Sequence, residues 1–125
     1  MNAYLAARSA YAQTTTPARN PRSIEYDLFA RVTQRLNTAW AAREQDYPAL
    51  IAALDENNRL WTVLAADVAS PGNALPPQLR AQLFYLYEFT AEHSRKIRAG
   101  EAGVEALVDI NTAVMRGLRG EGGGA

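Results

Sequence analysis

The 125-residue chain has no cysteine, a single histidine (His93) and a single lysine (Lys96). Without cysteine there is no disulfide and no thiolate metal site, which fits a reducing compartment; a cytoplasmic location is expected. A metal-binding bundle needs Glu and His three residues apart on facing helices, and that spacing does not occur. His93 is therefore read as a structural imidazole. No metal, cofactor or catalytic residue is expected, because a nucleophile–base–orienter set is missing. Excess charge is absent too: 13 basic and 13 acidic residues give a formal net charge of zero. Global electrostatics then offer no support for nucleic-acid or membrane binding. No run approaches the ~18 apolar residues of a membrane span. Met1 to Ala12 holds one large aliphatic side chain, Leu5, so it does not read as a signal peptide.

What is present is helical periodicity. Tyr4, Ala7 and Tyr11 share one face of a short N-terminal helix that is marginal unless it docks. Breakers follow, Thr14-Thr15-Thr16-Pro17 and Asn20-Pro21, so residues 1–20 read as an arm and linker. Arg8, Arg19 and Arg22 make this region basic but lack the clustering and aromatic alternation of a nucleic-acid strip. A first long helix is expected from about Pro21 to Arg43, with Ile24, Leu28, Phe29, Val32, Leu36 and Trp40 as its apolar stripe. Asp46 and Pro48 open a second, whose apolar side carries Tyr47, Leu50, Ile51, Leu54, Asn58, Trp61, Leu64, Ala65 and Val68.

Ser70-Pro71-Gly72-Asn73 ends that helix. Pro71 disfavours helix at Ser70, and Gly72 tolerates a positive φ. Leu75-Pro76-Pro77 starts the third helix, about Pro76 to Arg98, with proline tolerated in its first turn. Leu79, Leu83, Leu86, Thr90 and Ile97 lie on one line, and Phe84, Tyr87 and Phe89 beside it widen the apolar arc. Gly100 is expected as a left-handed cap. A fourth helix, about Glu101 to Leu118, presents Val104, Leu107, Val108, Asn111, Val114, Met115 and Leu118. Residues 120–125 form a glycine-rich tail too poor in side chains to order itself. The expected architecture is all-α: an antiparallel four-helix bundle over 21–119, with an additional short N-terminal helix or arm. Asn58 and Asn111 interrupt apolar stripes, where an unpaired amide costs about 1–3 kcal/mol, so each is expected to bond a neighbouring helix or loop.

Asn58-Arg59-Leu60-Trp61-Thr62, Asp67, Asn73-Ala74-Leu75-Pro76 and Leu79-Arg80 resemble the signature of FlaF, a family of flagellar biosynthesis regulators of alphaproteobacteria. Pro21 to Thr33 resembles the family's N-terminal run, and Asp109-Ile110-Asn111 with Met115-Arg116-Gly117-Leu118 its end. The resemblance spans nearly the whole chain apart from the tail. It implies a non-enzymatic role in flagellin production and export, alongside the translation regulator FlbT. Two roles are implied: a flagellin-specific secretion chaperone, or post-transcriptional control acting on flagellin mRNA or through FlbT.

The residues favour the chaperone. Amphipathic flagellin termini need an apolar groove before export, and an over-wide helical arc offers one. The candidate lining is Phe84, Leu86, Tyr87 and Phe89, with Leu60 and Trp61, while Tyr4 and Tyr11 on the arm either join or occlude it. Flagellin is the expected partner and FlbT a second candidate. Direct nucleic-acid contact is not expected, and the free protein is expected to be a monomer.

Overall fold

A computed structural model describes residues 21–118, with side chains from Tyr26 to Gly117; the arm and the glycine tail lie outside the described residues. Four helices account for nearly all of it: α1 (Pro21–Ala41), α2 (Tyr47–Ala69), α3 (Pro77–Arg98) and α4 (Glu105–Leu118). Each packs on its neighbours in the ring α1–α2–α3–α4, and short connections make consecutive helices antiparallel. The α3–α4 seam is the slightest of the four. This is the expected bundle.

The helix ends follow from local chemistry. Arg43, just past α1, donates from Nη1 to the Trp40 carbonyl at 2.8 Å and lays its guanidinium 3.9 Å over the Trp40 ring. Asp46 caps α2 by accepting from the Ala49 amide, and Pro48 stands in the first turn, where no N–H is missed. At the end of α2, Ser70 is extended (ψ 138°), as a residue before proline must be. Gly72 does not use its tolerance of positive φ; among the described residues only Gly100 takes one, at 77°. The turn is closed instead by Asn73. Its amide nitrogen donates to the Asp67 carbonyl at 3.0 Å, and its oxygen accepts from the Leu75 amide at 3.0 Å. Arg80 adds a third tie, from Nε to the Val68 carbonyl.

After α3, the Gly100 amide bonds the Ile97 carbonyl and the Glu101 amide the Lys96 carbonyl, the two bonds of a Schellman motif. That motif displaces the start of α4. Glu101 to Val104 form the connection, and the helix begins at Glu105, four residues later than expected. Tyr47, expected on the apolar side of α2, is 46% exposed; its hydroxyl reaches the Arg98 carbonyl at 3.1 Å.

The core falls into two halves. Phe29, Trp61, Leu64, Val68, Leu75, Leu83 and Val114 fill the end nearest the start of α1, where Phe29 meets the Trp61 ring edge-on at 6.1 Å. Leu36, Ala39, Leu50, Ala53, Leu54, Ile97, Val104 and Leu107 fill the other end. Between them every helix contributes a buried polar side chain: Thr33, Asn57, Thr90 with Ser94, and Asn111.

Asn111 is the hub of this layer. Its Oδ1 accepts from Trp61 Nε1 at 2.9 Å, and its Nδ2 donates to Asn57 Oδ1 at 2.8 Å and Thr33 Oγ1 at 3.1 Å. One amide thereby ties α4 to α1 and α2. Asn58, half-buried, accepts from Ser94 Oγ at 3.0 Å and so joins α2 to α3. Both expected asparagines do bond a neighbouring helix, but the fully buried position on α2 is Asn57. Its signal was the spacing of Leu50, Leu54, Asn57, Trp61, Leu64 and Val68, a regular alternation of four and three that Asn58 breaks.

Candidate interaction surface

Among the described residues, no three or more His, Asp or Glu side chains gather where a metal ion could be held, and no helix is long and apolar enough to cross a membrane. The departure from an ordinary bundle surface lies on α3. Of its 22 residues only Leu83, Thr90, Ser94 and Ile97 are fully buried, and Phe84, Tyr85 and Phe89 are exposed. Tyr85 is the most open aromatic of the three at 63%. Tyr85 stands off the line of the apolar arc, so helical periodicity does not single it out. Its signal was composition: five aromatic or leucine side chains, 83–87, run consecutively and no helix can bury all of them.

The arc expected as one groove is in fact two flanks. Arg80, Phe84, Tyr87 and Ser94 recur at spacings of three, four and seven, and this stripe faces α2. Arg80 bonds Val68 there and Ser94 bonds Asn58. Phe84 and Tyr87 meet edge to face at 5.4 Å. Leu86, Phe89 and His93 form the other stripe, facing α4. The His93 ring stacks on Phe89 at 5.5 Å and its Nε2 lies 2.9 Å from the Gly103 carbonyl, just before α4. A carbonyl only accepts, so Nε2 carries the proton in this bond. The imidazole pins the α3–α4 connection, in keeping with a structural role.

The remaining sequence candidates separate accordingly. Trp61 has no exposed surface and donates to Asn111, so it does not line a groove; it belongs to the core half built around Phe29. Leu60 packs against the same core half but follows Glu56 by one turn, and Glu56 pairs with Arg35 of α1. Leu60 therefore sits on the α1 side, away from the α3 aromatics. Leu86 and Tyr87 are half-buried against the core. Tyr4 and Tyr11 lie outside the described residues. The signature residues Asp67, Asn73, Leu75 and Pro76 are the parts of the α2–α3 turn. Asp67 supplies a carbonyl, Asn73 the staple, Leu75 a 3%-exposed core anchor, and Pro76 the residue before helix α3.

Charge on this surface is local. Arg95 donates to Glu92 at 2.8 Å and holds its carboxyl below the usual range, but both side chains stay more than half exposed. Arg59 pairs with Asp55 one turn away on α2.

A four-helix bundle with a polar central layer, and with exposed aromatic side chains on α3, defines an all-α helical-bundle protein. The chain matches the family model described as "Flagellar protein FlaF" over residues 7–118, and it belongs to that family. Comparisons with curated proteins and with solved structures found no significant match.

Proposed function

We propose that this flagellar protein binds flagellin before export, as a secretion chaperone that also regulates flagellin synthesis, and that it is not an enzyme. The observation that carries this reading is the α3 face: Phe84, Tyr85 and Phe89 stand exposed on a helix that buries little of its own surface. Tyr85 and Phe89 lie one turn apart and Phe84 on the neighbouring flank, and exposed aromatics so spaced along a helix fit an amphipathic helical partner laid alongside. Family membership supplies the flagellar setting.

Calorimetry of the purified protein with flagellin monomer, at low and high salt, tests it. Micromolar or tighter binding that survives salt, with a negative heat-capacity change, is expected for apolar burial. Tyr85→Ala should weaken it about tenfold while leaving the melting temperature nearly unchanged, as for an interface aromatic, whereas Phe89→Ala should weaken it and also lower the melting temperature slightly, because its ring stacks on His93. Absence of binding to flagellin, with binding instead to FlbT or to a leader RNA in a steeply salt-dependent manner, would overturn the chaperone reading in favour of translational control.

A further inference from the structure

We propose that residues 1–12 dock as a helix into the groove between α3 and α4, at the end of the bundle where α1 begins. The α3–α4 seam is the slightest in the ring, and among the described residues its one side-chain tie is His93 to the Gly103 carbonyl, at the far end. Towards the near end Leu79 and Leu86 of α3 and Ile110 of α4 are only half-buried against the core half that also holds Tyr26 and Phe29. Pro21, to which the arm connects, is thus at the same end as this half-buried groove.

Lengths agree. Twelve helical residues measure about 18 Å, and the stretch of α3 from Leu79 to Phe89 about 15 Å. Eight residues, 13–20, separate the two parts, and such a linker reaches up to about 26 Å, more than the width of two helices. Chemistry agrees as well. Tyr4, Ala7 and Tyr11 give an apolar face with a small residue between two rings, and Arg8 on its edge is the opposite charge to Asp109, exposed beside Ile110 on α4.

Cysteine is absent from the chain, so Ser9→Cys, on the opposite side of the arm helix, gives a unique site for a nitroxide label on the full-length protein. Docking predicts strong paramagnetic broadening of the methyl groups of Leu79, Leu86 and Ile110, and little at Leu50 or Leu54 at the other end. Adding Tyr4→Ala and Tyr11→Ala should reduce the broadening severalfold without changing the bundle's melting temperature by more than a degree or two. Broadening spread evenly over both ends, or none at the groove, overturns the proposal. So does broadening that appears equally when labelled protein is mixed with unlabelled, methyl-enriched protein, which would place the arm on a second copy.

That the docked arm competes with flagellin rests on the function proposed above. Deleting residues 1–19 should then strengthen flagellin binding severalfold, and weaker binding would make the arm part of the binding surface instead. The label experiment uses no flagellin, so it locates the arm whether or not flagellin binds.

Discussion

Asn111 shows how much one side chain decides in this bundle. A buried primary amide offers two donors and two acceptor lone pairs, and Asn111 uses three of the four on Trp61, Asn57 and Thr33. Asn111→Leu keeps the volume but strands those partners, and is expected to cost about 2–4 kcal/mol in urea denaturation, since each orphaned buried group costs about 1–3 kcal/mol. Thr90 is the opposite case. Its hydroxyl is buried in the same layer with no partner among the described residues, so Thr90→Val should stabilise the protein by about 1 kcal/mol. The opposite signs test whether the polar layer is held by its bonds or merely by its shape. Asn111 was legible in the sequence because it interrupts an apolar stripe. Asn57 was obscured by Asn58 beside it, since two adjacent amides differ by about 100° around the helix and the choice depends on where the core lies.

At the level of the elements, connections decide more than propensities. Proline and asparagine form the α2–α3 turn, with Gly72 in ordinary backbone; a glycine forms the α3–α4 turn. Gly100→Ala should cost about 1 kcal/mol because an L side chain is strained at φ 77°. At Gly72 a Cβ meets nothing within 4 Å and φ is not positive, so Gly72→Ala should be neutral or stabilising by up to about 0.5 kcal/mol. Paired thermal melts of the two variants check this; equal losses would contradict the geometry. The stop signal at Ser70-Pro71 was readable because proline acts on its neighbour whatever surrounds it. The late start of α4 was not, because the Schellman bonds use backbone groups that every residue possesses.

Across the described residues burial is uneven. Helix α2 buries Leu50, Ala53, Leu54, Asn57, Trp61, Leu64, Ala65 and Val68, whereas α3 buries four side chains, two of them polar. Burial of apolar surface is what holds a helix in a bundle, at roughly 25 cal/mol per Å². Native-state hydrogen exchange should therefore show amides of the first half of α3, residues 80–88, opening at lower free energy than those of α2, residues 53–65. Uniform protection would mean that the bundle opens only as one unit. The same helix, sparingly buried and with exposed aromatics, is the one to which the two proposals above assign the flagellin segment and the chain's own arm.

The sequence by itself determined the helical class, the four helices of the described residues and most of their boundaries. Those depend on local spacing, caps and prolines, which act within a few residues. It also carried the family resemblance, since short motifs in order survive without knowledge of their contacts. Tertiary structure alone decided which seam each aromatic faces. Phe84 and Phe89 look equivalent on a widened arc, yet one lies toward α2 and the other toward α4, because a helix surface acquires sides only when its neighbours are in place. It likewise sent Trp61 and Leu60 away from the candidate groove and gathered Thr33, Asn57, Thr90, Ser94 and Asn111 into one layer. Those residues are up to 78 positions apart in the chain where they bond, and no local rule acts over that distance.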